Sequence, residues 1–168
     1  MTRKQLPLIV IGMTCALMLF AQIAAAETQE ELENNKTIAK RISEEVVFQG
    51  KAADELLAPN FLYHPFGGGE LDREATLHMW EGIRNAYPDA VITWNHAIAE
   101  GDKVVLHFTM QGTNTGEFLG MPATGKTAVW SGFVIRRIEN GMVAEEWDLV
   151  DLYGMLVQLG VIPAPEPK

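Results

Sequence analysis

Two carboxylates near the end of the chain, Glu146 and Asp148, have the spacing of an acid/base pair. They lie in the segment Met142–Val150, whose β-branched and aromatic residues predict a strand. Side chains at i and i+2 of a strand share a face, so the two backbones lie roughly 6.6 Å apart. At an effective dielectric of ~20 the two charges repel by about 2.5 kcal/mol, which raises the pKa of one carboxyl. In a dry pocket such a carboxyl serves aldol, isomerisation or hydration chemistry.

Other polar and aromatic side chains are candidates for binding a substrate. Tyr63 and His64 end a short extended segment and offer hydrogen-bond donors, although a loop position is an alternative for His64. His107 lies on a predicted strand, where a structural role in the sheet is the alternative to contact with a ligand. Trp80 and Trp130 either fill the core or line a pocket for a flat hydrophobic molecule.

Two patterns that often bind metals or phosphates do not predict such sites in this chain. No pair of histidines has the spacing of a metal site, and the single Cys, Cys15, lies in the apolar N-terminal run. Residues 120–127 satisfy G-x-x-x-x-G-K-[ST], but a strand-like segment follows where a phosphate-binding loop requires a helix. We therefore predict neither a metal nor a cofactor.

Three helices are predicted around these residues. Residues 29–49 repeat apolar positions near helical spacing, and Gly50 stands where a C-terminal cap belongs. A second helix begins at the N-cap Asp72 and is stopped by Pro88. A third is predicted over Leu152–Leu159, with Asp151 as its cap.

Between the second and third helices the hydrophobic period changes from 3.6 to 2. Residues 91–98 and 104–111 form a predicted hairpin about Glu100-Gly101-Asp102, and strands over residues 127–138 and 142–150 follow. Helices followed by antiparallel strands predict an α+β fold, with the helices on one face of a mostly antiparallel sheet.

The first 26 residues predict a secretory signal peptide. Arg3 and Lys4 precede an uncharged apolar run, and three alanines ending at Ala26 precede Glu27. The alternative is a retained membrane anchor, but the alanine-rich end favours cleavage, after which no stable anchor remains. We therefore predict a periplasmic or secreted protein with a single domain over residues 27–168.

The charge balance bears on the partners of this domain. The chain carries 22 acidic and 13 basic side chains, for a net charge of −9. Such an acidic surface disfavours binding to nucleic acid or anionic lipid.

Four blocks of sequence resemble the SnoaL-like polyketide cyclases, also called ester cyclases. They are residues 112–126 (GTNTGEFLGMPATGK), residues 137–141 (RIENG), residues 145–148 (EEWD) with Asp151, and residues 158–160 (QLG). The resemblance extends from about residue 37 to 162. It implies the NTF2-like fold, in which a strongly curved sheet wraps over N-terminal helices as a cone around a pocket. It also implies a homodimer formed through the sheet.

The same resemblance implies a catalytic residue. Cyclases of the family close a polyketide ring by an intramolecular aldol reaction without metal or cofactor, and their acid/base Asp matches Asp148. Two residues before it they carry a His, where this chain has Glu146. On the neighbouring strand they carry a Gln and a His, where this chain has Gly132 and Val134, and near the end of the first strand an Asn, where it has Tyr63. These replacements disfavour cyclisation of an aromatic polyketide.

The pairing opposite Asp148 depends on the turn between the last two strands. A two-residue turn, Asn140-Gly141, would place Phe133 opposite Asp148. A three-residue turn would place Gly132 there, with Val134 opposite Glu146. The resemblance favours the second arrangement, in which Gly132 leaves room for a substrate and Arg136 lies near Glu146.

The sequence leaves open which face of the last two strands is turned to the core. Alternation alone places Phe133, Ile135, Val143, Trp147 and Leu149 on the core face, and sends Arg136, Glu146 and Asp148 to solvent. The resemblance implies the reverse, with Asp148 in a pocket.

Two functions follow from these alternatives. The first is a cofactor-free cyclase, isomerase or hydratase acting on a small hydrophobic carbonyl compound. The second is a non-catalytic module that binds a small hydrophobic molecule or dimerises.

Overall fold

A computed structural model describes residues 29–164 and residue 166 of the chain. The predicted signal peptide lies outside the described residues. Within the described part of the chain, no helix is long and apolar enough to cross a membrane.

The helices form where apolar spacing and capping residues predict them. The first, α1, is α-helical over residues 29–41 and continues as a π-helix over Ile42–Phe48. The second, α2, covers Arg73–Ala86, and the Asp72 side chain caps it by accepting a 2.9 Å hydrogen bond from the Ala75 N–H. The third, α3, covers Leu152–Leu159 and is capped by Asp151, which accepts from the Gly154 N–H. The sequence did not predict the π-helical segment.

The strands form one curved sheet of six. They are β1 (Leu57–His64), β2 (Leu71–Asp72), β3 (Val91–Glu100), β4 (Lys103–Thr113), β5 (Thr127–Glu139) and β6 (Met142–Val150). The order in the sheet is β2-β1-β6-β5-β4-β3, and only the β1–β6 pair is parallel. The predicted α+β class with a mostly antiparallel sheet is confirmed. β5 follows directly after residues 120–126, which confirms that no helix follows the loop-like G-x-x-x-x-G-K-[ST] pattern.

The turn between β5 and β6 has two residues. Asn140 and Gly141 have φ values of 52° and 76°, as a type I′ turn requires. Glu139 therefore pairs with Met142, and Ile138 with Val143.

One step further along, a β-bulge changes the register of β6. Arg137 pairs with Glu145, so Ala144 is an extra residue in this strand. Both registers predicted from the sequence are consequently wrong. Asp148 pairs with Val134 and Glu146 pairs with Arg136, while Gly132 pairs with Val150.

The bulge also decides which side chains face the helices. Without it, β6 would keep Val143, Trp147 and Leu149 on one face. Because the bulge shifts the alternation by one residue, Val143 stays inside while Trp147 and Leu149 turn outward, and Glu146 and Asp148 take the inner positions.

The residues on each face of the sheet therefore differ from those that strict alternation predicts. The inner face packs on all three helices and carries the core, including Leu106, Phe108, Trp130 and Val134. Phe133, Ile135 and Leu149 lie on the outer face, with 50%, 37% and 46% of their surface exposed. Placing these three in the core is corrected by the structure.

Candidate active site

A cavity of about 140 Å³ lies between the helices and the inner face of the sheet. Most of its wall is aromatic or aliphatic, with side chains from α1, α2 and α3 and from strands β3, β4, β5 and β6. Its polar residues include Ser43, Arg136, Glu146 and Asp148. The cavity thus combines an apolar wall with a small group of ionisable side chains on β5 and β6.

Burial perturbs the ionisation of the Asp148 carboxyl in this group. Desolvation by the surrounding apolar side chains raises its pKa from 3.8 to about 6. The Tyr63 hydroxyl, which donates a 2.7 Å hydrogen bond to Asp148 Oδ1, lowers the pKa. The nearby Glu146 charge raises it again, and Arg136 lowers it. A carboxyl with a pKa near 6 exchanges protons readily close to neutral pH.

Tyr63 is buried on β1, next to β6 in the sheet. Its Cα partner across the parallel pair is Glu146, and its ring reaches along the sheet to Asp148. Burial and the Asp148 charge raise the pKa of the Tyr63 phenol above its usual value. Tyr63 therefore remains a hydrogen-bond donor to Asp148 Oδ1.

Arg136 and Glu146 form a buried ion pair beside Asp148. Arg136 Nε lies 2.6 Å from Glu146 Oε2, and both side chains are almost fully buried. The Arg136 guanidinium also donates to the Ala39 carbonyl oxygen and to Ser43 Oγ, the latter at 3.0 Å. Ser43 belongs to the π-helical part of α1. The ion pair thus joins the sheet to α1 and neutralises the charge of Glu146.

The structure brings together most of the side chains predicted for the site. Those that line the cavity are Trp80, Trp130, Val134, Arg136, Glu146 and Asp148. Tyr63 contacts Asp148 from the neighbouring strand. Of the two alternatives for Asp148, solvent or a pocket, the structure shows the pocket, because Asp148 lies in the cavity wall.

Gly132 does not leave room for a substrate. It pairs with Val150 instead of Asp148. A Cβ added at Gly132 would lie 2.6 Å from Phe108 Cζ and 2.7 Å from the Leu149 carbonyl oxygen. The missing side chain at Gly132 therefore makes room for Phe108, whose ring lines the cavity.

The structure places His64 and His107 away from the cavity. His64 stacks on Trp147 with ring centroids 4.8 Å apart, and its nitrogens lie 3.6 Å from Glu70 and from Glu145. His107 stacks on Phe133 on the outer face, at 4.5 Å. His107 therefore has the structural role in the sheet that was the alternative to contact with a ligand.

Several cavity residues were not recognised from the sequence. Phe108 and Met110 on β4, Phe118 in the following loop and Met155 on α3 all line the wall. Tyr87, which the sequence marks only as the last residue before Pro88, lines it as well. The aromatic and apolar character of these residues is a weak signal, because most residues of that type fill cores.

The described residues contain no group of three or more His, Cys, Asp or Glu side chains that could hold a metal ion. The polar side chains of the site include the Asp148 carboxyl, the phenols of Tyr63 and Tyr87, and the Arg136–Glu146 ion pair, and they are set in a largely apolar wall.

A mostly antiparallel six-stranded sheet packed over N-terminal helices is the arrangement of the NTF2-like fold, to which this α+β structure belongs. A model of the SnoaL-like polyketide cyclase family matches residues 37–159. The chain belongs to the SnoaL-like polyketide cyclase family.

Solved structures agree with this assignment. Wild-type IdmH from Streptomyces antibioticus is 28% identical with a TM-score of 0.67, over 75% of this chain and 98% of that one. AclR from Streptomyces galilaeus is 24% identical with a TM-score of 0.71, over 80% and 86% of the two chains. An LEH-like epoxide hydrolase of M. tuberculosis shares the fold at 12% identity, with a TM-score of 0.61 over 78% and 92%. A search of curated protein sequences gives no significant match.

Proposed function

We propose that the protein is a cofactor-independent acid/base enzyme of the cyclase, isomerase or hydratase type, acting on a small hydrophobic carbonyl compound. The observation that carries this proposal is the Asp148 carboxyl, which lies in an apolar cavity wall and has a pKa raised to about 6. A fold of this class serves different chemistries, so the proposal depends on the site and not on the family name.

In the proposed reaction the Asp148 carboxylate removes a proton from the carbon next to the substrate carbonyl. The C–H electron pair forms the C=C bond of an enolate while the carbonyl π electrons move to oxygen. For cyclisation, the enolate carbon attacks a second carbonyl in the same molecule, a C–C bond forms, and the new alkoxide takes the proton from Asp148. For isomerisation, Asp148 returns the proton to a different carbon. Either sequence balances without a co-reactant.

The geometry suits this role in two respects. Tyr63 holds Oδ1 of Asp148, so the carboxyl has one defined orientation in the cavity. The apolar wall limits competition from water, which would otherwise solvate the carboxylate and weaken it as a base.

The experiment follows deuterium incorporation next to the carbonyl of cyclohexanone or acetophenone in D₂O, which reports proton abstraction without knowledge of the natural substrate. We expect Asp148→Asn to lower the catalysed rate by about 10²- to 10⁴-fold. Asp102→Asn, an exposed carboxyl in the β3–β4 turn, is the matched control and should keep the wild-type rate. An equal rate in wild type and Asp148→Asn would remove Asp148 from the mechanism.

A second candidate function is a non-catalytic small-molecule-binding module. It is favoured by the pairing of Arg136 and Glu146 with each other and by the apolar Val134 beside Asp148. In that case ligands would stabilise the protein against heat equally in wild type and Asp148→Asn, and neither protein would catalyse exchange.

Two further parts of the proposal concern the assembly and location of the protein. The outer sheet face, defined by Val129, Phe133, Ile135 and Leu149, exposes four apolar side chains, of which Phe133 and Leu149 are cross-strand partners. This apolar exposure supports a homodimer formed through the sheet. The basic start, apolar run and alanine-rich end of residues 1–26 support export. An exported form beginning at Glu27, found by mass spectrometry, is the expected product; an intact N-terminus on the exported protein would contradict cleavage.

A further inference from the structure

Tyr87 occupies a fixed position in the wall of the cavity. It is the C-cap residue of α2, where Pro88 prevents the helix from continuing, and its N–H donates a 3.0 Å hydrogen bond to the Ile83 carbonyl oxygen. Its ring packs against Phe118 at 5.3 Å, nearly edge-on, and against Trp130 at 5.2 Å. The ring therefore has little freedom to turn.

The hydroxyl of Tyr87 lacks a strong hydrogen-bond partner. The residue is 1% exposed, and the contact that its hydroxyl makes among the described residues is with Met155 Sδ at 4.0 Å. A thioether is a weak acceptor, and a buried hydroxyl without a good partner is costly. Burial raises the pKa of the phenol, so it stays protonated. Tyr87 and Met155 both line the cavity, which places a donor in need of an acceptor at the wall.

The size of the cavity limits which ligands can reach the Tyr87 hydroxyl. At about 140 Å³ it is close to the ~150 Å³ engineered cavity that binds one benzene molecule. Its walls are held by aromatic contacts, including those of Tyr87, and packed interiors resist expansion. One ring with a short substituent is about the size of this space.

The charges around the cavity select against an anionic ligand. Among the described lining residues the charged side chains are Arg136, Glu146 and Asp148. Arg136 already donates to Glu146, to the Ala39 carbonyl and to Ser43. An anion would therefore lose its water without gaining a free cation, and it would lie close to Asp148.

We propose that the Tyr87 hydroxyl binds the carbonyl oxygen of an uncharged ligand about the size of a single aromatic ring, while Asp148 meets the neighbouring carbon. The inference rests on the proposed function for the role of Asp148, and it adds the donor that stabilises negative charge on the enolate oxygen. It also narrows the substrate class to neutral single-ring carbonyl compounds.

The test compares the binding of acetophenone, ethylbenzene and benzoate at pH 7. The proteins are wild type, Tyr87→Phe and Tyr153→Phe, in which the control residue is exposed on α3. Phenylalanine keeps the ring contacts of Tyr87 and removes the hydroxyl alone. Calorimetry gives the affinities, and infrared spectroscopy of acetophenone labelled with ¹³C at the carbonyl reports hydrogen bonding to its oxygen.

We expect Tyr87→Phe to weaken acetophenone binding by about three- to tenfold and to leave ethylbenzene unchanged. The carbonyl stretch of bound acetophenone should lie at lower frequency in wild type and Tyr153→Phe than in Tyr87→Phe. Benzoate should bind more weakly than acetophenone to all three proteins.

Equal losses for acetophenone and ethylbenzene, an unchanged carbonyl frequency, tighter binding of benzoate, or binding of none of the probes would each overturn the inference. Repeating the affinities with Asp148→Asn separates the two proposals. Tyr87-dependent binding that persists in that variant, with no exchange catalysed by wild type, would refute catalysis and leave the carbonyl contact standing.

Discussion

The hydroxyl of Tyr63 donates a 2.7 Å hydrogen bond to Oδ1 of Asp148, although the two residues lie 85 positions apart in the chain. The parallel pairing of β1 with β6 brings them together, and the bulge at Ala144 turns Asp148 to the inner face where this contact forms. A single phenol thereby orients the carboxyl and opposes the effect of its burial.

Removing the Tyr63 hydroxyl should raise the pKa of Asp148. The hydrogen bond favours the ionised carboxylate, so Tyr63→Phe is expected to move the pKa above the wild-type value of about 6. Carbon-13 NMR titration of the aspartate carboxyls measures this shift directly, with Tyr153→Phe as the control. An Asp148 that titrates at the same or a lower pH in Tyr63→Phe would show that the bond does not tune the carboxyl.

Asp148 should make the protein less stable as the pH rises from about 4 to 6. Its pKa is near 3.8 when exposed and about 6 in the folded protein, so in this window the folded state binds more protons than the unfolded state. The free energy of unfolding then falls by up to about 3 kcal/mol.

The Asp148→Asn variant removes this pH dependence. It keeps an acceptor for Tyr63 without a buried charge, so it should be more stable than wild type at pH 7 and nearly equal to it at pH 4. Urea unfolding at the two pH values measures both differences. A variant that is less stable than wild type at pH 7 would contradict the burial of an ionised Asp148 carboxylate in the cavity wall.

The buried ion pair should matter far more to stability than a surface pair. Arg136→Met leaves Glu146 charged and unpaired in the core, and we expect a loss of about 3–5 kcal/mol in the free energy of unfolding. Arg41→Met removes the corresponding partner of Glu45 on the exposed side of α1 and should change the thermal midpoint little.

Replacing both members of the buried pair provides a check on this reading. Arg136→Met combined with Glu146→Leu should recover much of the lost stability, since no charge remains without a partner. Thermal and urea unfolding of wild type, Arg136→Met, Arg41→Met and the double variant measure these differences. A double variant as unstable as Arg136→Met alone would refute the account.

The outer sheet face should hold two copies of the chain together. A charge in the middle of that face, Phe133→Glu, is expected to convert a dimer to a monomer. Phe66→Glu is the control, because Phe66 is also exposed but lies in the loop between β1 and β2. Light scattering coupled to size exclusion gives the masses. A monomeric wild type, or a dimer that survives Phe133→Glu, would rule out this interface.

The helices and most strands could be predicted because their signals are local. Asp72 and Pro88 bound α2, Asp151 caps α3, and alternation marks β3, β4 and β5, so these elements are found close to where the sequence predicts them. The π-helical turn of α1 was not predicted, since its residues are ordinary helix formers.

The site was harder to predict because one residue decides it. The sequence allows the two-residue Asn140-Gly141 turn as one of two alternatives, although the resemblance favours the three-residue turn, and the bulge at Ala144 carries no comparable signal. Without that bulge, alternation sends Glu146 and Asp148 to solvent. The family resemblance supplied the correct face for Asp148, yet it could not supply the pairing with Val134, or the position of Tyr87 in the cavity wall.

The pH dependence of deuterium exchange into cyclohexanone tests the central claim most directly. If Asp148 is the base, the rate catalysed by wild type should rise with pH through a midpoint near 6 and level off above it, and Asp148→Asn should show no such rise. A catalysed rate that is independent of pH between 4 and 8, or one that Asp148→Asn retains in full, would contradict the account.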